Sequence, residues 1–244
     1  MSTGYLILAH GSPDPRHGRV VTALQAQVAA QLPGPVVRGY LDHDEPSVAG
    51  ALERLTHRAR AAVVVSLLLG DGFHADVDVP AALAAAPPQL AVTFAGPLGL
   101  GGWLHPRLDR LVAQASPVSA HPAVVLCGAG SSRPRAWQQI VDLAARWAVT
   151  RKAPVLPAFA TGEGPDLGDA LAEADREGFA PVVVPLLLAE GRLSDQIRQA
   201  AVRHGATTTD VLGASPEVCA RIVQLCRDAN AAPSPTVRPA VVTA

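Results

Sequence analysis

A single offset of 119 residues, the step from Val63 to Val182, lays the second half of this chain over the first. Val63-Val64-Val65-Ser66-Leu67-Leu68-Leu69 returns as Val182-Val183-Val184-Pro185-Leu186-Leu187-Leu188. The same shift carries Gly11-Ser12 onto Gly130-Ser131, Pro15-Arg16 onto Pro134-Arg135, and Pro46 onto Pro165. It also carries Ala51-Leu52 onto Ala170-Leu171, Gly72 onto Gly191, and Asp76 onto Asp195. Separated blocks that agree without a gap mark one supersecondary unit written twice. The chain therefore folds as a duplicated unit, and anything present in only one copy is a departure that calls for its own reason.

Each copy alternates strand and helix signals. In the first, residues 4–9 form a short apolar run of β character, and residues 17–31 carry apolar residues at helical spacing. Residues 35–41 read as extended, and residues 47–60 as a second helix opening after Pro46-Ser47. Residues 62–69 are apolar on both faces, as a strand central to a parallel sheet requires. A helix near 77–86, a strand near 90–96 and a helix near 104–115 complete the unit. Strands separated by helices imply right-handed crossovers and a parallel sheet flanked by helices, an α/β architecture. The expected organisation is a first half over 1–115, a linker over 116–122 (SPVSAHP), a second half over 123–230, and a tail over 231–244 that lacks an amphipathic pattern and is expected to be disordered.

Composition removes several function classes. With 49% hydrophobic and 17% charged residues the chain has ample core material. A net charge of −1 without basic clusters gives no footprint for nucleic acid. No apolar run reaches the roughly 20 residues needed to span a bilayer, and the opening MSTGYLILAHGS lacks the basic region of a signal peptide; the expected location is the cytoplasm. Cys127, Cys219 and Cys226 are too few and too scattered for a disulfide framework or zinc knuckle, and read as small buried hydrophobes. Lys152 is the only lysine and follows no glycine-rich turn, which excludes a P-loop ATPase.

In an open parallel sheet, ligands bind beyond the carboxyl ends of the strands. His10 ends the first strand and His74 follows the third, so parallel strands bring both to one edge. Gly11, Gly70 and Gly72 thin the backbone there, as close approach of a ligand requires. At the repeat offset His10 falls on Ala129 and His74 on Leu193, while Gly11 and Gly72 persist as Gly130 and Gly191. A structural role in the shared fold would have kept both imidazoles in both copies. The pair is a candidate functional site belonging to the first half, with the second half as a wall. Neutral imidazole is a common transition-metal ligand and, with a pKa near 6.5, a proton acceptor at neutrality.

These residues resemble the class II, ATP-independent chelatases that act on sirohydrochlorin. The resemblance rests on HGS-x-DPR (His10, Gly11, Ser12, Asp14, Pro15, Arg16), on the stretch from Leu67 to Pro80 with His74 and Asp78, and on Asp44-Glu45-Pro46-Ser47. It spans about residues 4–230 when the degenerate second half is included, as in two-domain members. It implies two tandem chelatase-like domains facing each other across a cleft, with His10 and His74 as catalytic residues and as ligands of the incoming metal. The implied activity is insertion of Co²⁺ or Fe²⁺ (Ni²⁺ being chemically compatible) into sirohydrochlorin with release of two protons, for cobalamin or sirohaem, cobalt being slightly favoured for two-domain members. No cofactor is implied beyond this metal substrate, and no partner beyond the tetrapyrrole; with both halves in one chain, a monomer is expected.

Metallation requires an ion to shed water, a macrocycle to bend, and two pyrrole protons to leave, none of which needs ATP or a redox step. Substrate contacts are expected from Gly11, Ser12, Arg16, Asp42, Gly72 and Arg192, with Arg38 a further candidate near a strand end for the tetrapyrrole carboxylates. Asp78 reads as a helix-start residue. Two other readings are weaker. Arg16-His17-Gly18 imitates the Arg-His-Gly of histidine phosphatases, but it lies well past the strand end, after a Pro-Asp-Pro turn. A non-catalytic metal or tetrapyrrole carrier on the same fold would keep the ligands without turnover.

Overall fold

The computed structural model describes residues 2–70, 77–116, 122–131, 133–162 and 164–231. Two four-stranded parallel sheets carry the fold. The first has the order β2-β1-β3-β4, from β1 (Thr3–Ala9), β2 (Val36–Tyr40), β3 (Ala61–Ser66) and β4 (Ala91–Pro97). The second has the order β6-β5-β7-β8, from β5 (Val124–Gly128), β6 (Val155–Phe159), β7 (Val182–Pro185) and β8 (Thr207–Thr208). The expected α/β class with two tandem units of parallel sheet and helices is what the chain adopts.

The repeat offset holds to the level of single pairings. Tyr5 pairs with Val36 and Val63, and Val124 pairs with Val155 and Val182. Past the strand ends, the isolated bridge Tyr40–Ser47 recurs as Phe159–Asp166. A one-residue slip would turn each strand's side chains to the other face, so equal apolar patterns lead to equal register.

Helices α1 (Pro15–Ala29), α2 (Val48–Thr56), α3 (Val79–Ala84) and α4 (His105–Ala115) alternate with the first strands. Helices α5 (Pro134–Arg151), α6 (Leu167–Arg176), α7 (Arg192–Arg203) and α8 (Pro216–Ala231) follow in the second half. In α1, Val21, Leu24 and Val28 form one buried stripe at helical spacing. Pro15 at the first turn has a preset φ, and Asp14 caps the helix by accepting the Arg16 N–H at 2.9 Å. One core joins Leu6, Leu8 and Val64 of the first sheet to Leu52 and Leu55 of α2 and Val79 of α3. A separate one joins Val125 and Val183 to Leu167 and Leu171 of α6 and Ile197 of α7. Each such side chain contributes about 1.5–3 kcal/mol over leaving it in water.

The compact units do not follow the repeat boundaries. One unit comprises residues up to Gly99 together with those from Cys219 onward, and the other Leu100–Val218. Within the second, α4 is held by Arg107, whose Nε and Nη2 donate to the Leu212 and Val211 carbonyls at 3.0 Å. Asp109 accepts from Trp147 Nε1 at 2.9 Å. Within the first, Asn230 of α8 donates to the Tyr5 hydroxyl at 2.7 Å and Arg221 to the Leu98 carbonyl at 3.2 Å. The last helix of the first repeat thus packs in the second unit, and α8 from Cys219 onward packs in the first. No described helix is long and apolar enough to cross a membrane. The linker expected over 116–122, except Ser116 and Pro122, and the tail expected over 231–244, except Ala231, which ends α8 instead, lie outside the described residues.

Candidate functional site

The site is built at the carboxyl edge of the first sheet, where β1 and β2 run out together. Pairing continues past both strands: Leu41 N–H donates to Ala9 O at 3.0 Å, and Asp42 N–H to His10 O at 2.8 Å. This brings the β2–α2 loop alongside His10. The approach needs glycine at position 11, whose φ is 96° and where a Cβ would collide with the Asp42 carbonyl. Gly130 does the same in the second unit, with φ of 99° and the Thr161 carbonyl in the way.

His10 is half-buried, and its Nδ1 lies 3.2 Å from the Gly11 carbonyl. A carbonyl only accepts, so in this contact Nδ1 is the donating nitrogen. The His43 ring stands with its centroid 6.2 Å from that of His10 and tilted by 45°. His43 Nε2 is 3.4 Å from Asp42 Oδ2, with both side chains well exposed. Asp42 Oδ1 also accepts the His43 N–H at 2.8 Å.

Asp44 ties the two loops together. Its Oδ2 accepts the Ser12 N–H at 3.0 Å and stands 3.9 Å from Nδ1 of His17 on α1. Burial pushes the His17 imidazole below its ordinary pKa; the Asp44 carboxylate pulls it back up, and the neighbouring His10 charge opposes its protonation. Tyr40 lies against His17 with ring centroids 6.5 Å apart, and burial raises its phenol.

The other expected site residues fall as follows. Ser12 lies in the β1–α1 loop, its hydroxyl accepting the Asp14 N–H at 3.1 Å. Arg16 is engaged by Asp14, donating from Nε and Nη2 to both carboxylate oxygens at 2.7–3.2 Å. The Arg16 guanidinium and N–H together hold the Asp14 carboxyl down at about 2. Arg38 lies inside β2 rather than at a strand end, its Nη1 bonded to Gln25 Oε1 at 2.6 Å, because the strand continues to Tyr40. Asp78 does occupy the N-cap position of α3, but its own backbone is already helical and its side chain makes no capping bond. Arg192 is exposed at the first residue of α7, in the second unit. His74 and Gly72 lie outside the described residues.

Three residues that sequence reasoning did not assign to the site lie around His10: His17, His43 and Asp44. The repeat held the signal, since the offset that replaces His10 by Ala129 also replaces His17 by Ala136 and His43 by Gly162. Among the described residues no group of three or more His, Cys, Asp or Glu side chains is arranged to hold a metal ion. The arrangement present is an open one: imidazoles and carboxylates around a sheet edge, side chains of the kinds that ligate divalent cations and accept protons.

SirB from Bacillus subtilis with Fe³⁺ has the same fold, with a TM-score of 0.85 and 23% identity over 95% of this chain and 96% of that one. The sirohydrochlorin chelatase SirB from Bacillus subtilis subspecies spizizenii in complex with cobalt superposes with a TM-score of 0.77 at 21% identity, over 94% and 95%. CbiX, described as the terminal enzyme for biosynthesis of siroheme in denitrifying bacteria, gives 0.66 at 23% identity, over 93% and 99%. At these identities the likeness speaks for the fold. No match is found among curated proteins. The sequence pattern of the CbiX family matches twice, over residues 4–115 and 123–229, the two copies of the repeat. This chain belongs to the CbiX family.

Proposed function

We propose that this protein inserts a divalent metal ion, Co²⁺ or Fe²⁺, into sirohydrochlorin for cobalamin or sirohaem. The observation that carries the reading is the one-sided histidine set. His10, at the end of β1, and His74, which follows β3 in the sequence, are replaced by alanine and leucine in the second repeat, while Gly11 and Gly72 are kept as Gly130 and Gly191. Membership of the CbiX family supports it, as do structural neighbours named for a sirohydrochlorin chelatase and for siroheme biosynthesis, two of them holding iron or cobalt.

In this reading His10 and His74 hold the incoming ion through neutral imidazole and take up the protons that leave the pyrrole nitrogens. Asp42, exposed beside His10, lends a carboxylate to the ion or to a pyrrole N–H. Gly72 leaves room for the macrocycle, Gly11 admits the β2–α2 loop that carries Asp42, and Ser12, Arg16 and Arg192 offer polar contacts to the macrocycle's periphery. Arg16 would meet a tetrapyrrole carboxylate in competition with Asp14, to which it is already bonded. No cofactor beyond the metal substrate takes part, the chain acts as a monomer, and its place is the cytoplasm.

The test supplies purified protein with sirohydrochlorin and, separately, Co²⁺, Fe²⁺ or Ni²⁺ under anaerobic conditions. The absorbance change on metallation should outrun the spontaneous rate, and competition between the three ions identifies the metal. His10→Ala and His74→Ala should each lower the rate at least 100-fold, on the order of the general-base contribution. A wild-type rate no higher than the spontaneous one leaves a carrier rather than an enzyme, and full activity in either variant removes that histidine from the site.

A further inference from the structure

A buried polar atom without a partner is something folded chains rarely keep, yet Nδ1 of His17 on α1 is buried and makes no hydrogen bond among the described residues. The first repeat alone carries it. At the repeat offset His17 falls on Ala136, whereas Asp44 falls on another acid, Glu163. An acidic residue at this point of the sequence is common to both copies, and the imidazole beside it is what the first copy adds. The insertion chemistry assigned to His10 and His74 makes no use of it.

The orphan nitrogen has an acceptor within a short swing. Asp44 Oδ2 stands 3.9 Å away, and a movement of about 1 Å would bring the pair to ordinary hydrogen-bonding distance. The same oxygen accepts the Ser12 N–H at 3.0 Å, so Asp44 serves Ser12 here and leaves His17 unserved. The Asp44 backbone is tied by its N–H to the Asp42 carbonyl at 2.7 Å, but 29% of its side chain is exposed, which leaves the carboxylate room to turn. Ser12 itself lies two residues past His10. While Asp44 covers its N–H, the carboxylate of an arriving ligand meets a donor already in use and a charge of its own sign, which repels it.

We propose that His17 is a positioning residue that takes the Asp44 carboxylate as substrate binds, freeing the Ser12 N–H for a carboxylate of the tetrapyrrole. That the ligand is sirohydrochlorin rests on the metal-insertion reading. Asp44 trades the Ser12 N–H for the Nδ1–H of His17, and the ligand takes up the freed N–H. No covalent bond changes, and one hydrogen bond is gained because the orphan nitrogen finds its partner. His17 acts through Asp44 alone and touches neither the ion nor the ring.

The test measures the Kd of metal-free sirohydrochlorin for the full chain by anaerobic fluorescence titration. His17→Ala, which installs the residue of the second repeat, should raise the Kd at least about five-fold, the worth of one hydrogen bond. His17→Asn, whose amide donates from near the Nδ1 position, should recover most of that loss, with thermal melts showing each variant folded. Asp44→Ala leaves the Ser12 N–H free at all times, so adding His17→Ala to it should change the Kd by less than about two-fold. A smaller loss in His17→Ala, or an equal loss with and without Asp44, overturns the exchange. So does the absence of measurable binding by the wild-type chain. In turnover with Co²⁺, the His17→Ala loss should appear in the KM for sirohydrochlorin, with kcat held within about two-fold; a loss confined to kcat overturns the exchange. If the wild-type chain fails to accelerate metallation while the pattern of Kd values persists, the insertion reading falls and the exchange stands.

Discussion

At Gly11 a single missing Cβ lets the β2–α2 loop lie against His10, and the cost of adding one is correspondingly large. Gly11→Ala sets alanine at a φ of 96° against the Asp42 carbonyl, and should cost on the order of 3 kcal/mol. Urea denaturation would show this as a lower midpoint at unchanged slope. His17 adds a pH dependence. Burial first, and then the His10 charge, depress its folded pKa below the ordinary 6.5, so between these values the unfolded chain binds the extra proton and stability rises with pH. The contribution is complete above about pH 6.5 and is lost as pH falls from there toward the folded pKa. His105, also depressed by burial, acts in the same direction. His17→Gln should flatten the fall in Tm below pH 6.5, leaving the part due to His105. At this scale His10 was legible because a histidine ending a strand is unusual. His17 and His43 were less so, because a histidine in a helix or a polar loop is ordinary until the repeat shows that the fold does without it.

Helix starts show how the repeat preserves function rather than residue type. Ser47 caps α2 by accepting the Gly50 N–H at 3.2 Å. The equivalent Asp166 caps α6 by accepting the Gly168 N–H at 2.7 Å. Ser47→Ala and Asp166→Ala should each cost about 1 kcal/mol, measurable as similar falls in Tm despite the different chemistry. Elements with a full apolar pattern were readable, and β2, expected over 35–41, runs Val36–Tyr40. Helix α3 was harder, since its α-helical part is Val79–Ala84, entered through a π-helical turn at 77–78, where residues 77–86 were expected, and Asp78 gives it no side-chain cap. A carboxylate caps only from an extended backbone, and Asp78 is already helical. Composition shows the capping residue but not that conformation.

For the whole molecule, the chain's last helix has a consequence that can be measured. From Cys219 onward α8 belongs with the first sheet, burying Ile222, Val223 and Cys226 and bonding to Tyr5 of β1. Its apolar contacts push the Cys226 thiol up to about 12. A chain ending at Val218 should therefore lose hydrogen-exchange protection in β1 and α1 while β5, β6 and β7 keep theirs. The opposite pattern would place α8 with its own repeat. The duplication, the alternation of strands and helices and the one-sided histidines could all be read along the chain, because they depend on local period and on comparing a residue with its repeat. The assignment of α4 and α8 to sheets could not, because an amphipathic stripe states that a helix must be covered and is silent on which sheet covers it. Nor could the gathering of His17, His43 and Asp44 around His10. Loops far apart in sequence meet there only once the glycine at position 11 lets two backbones touch, and that closeness is a property of the folded chain.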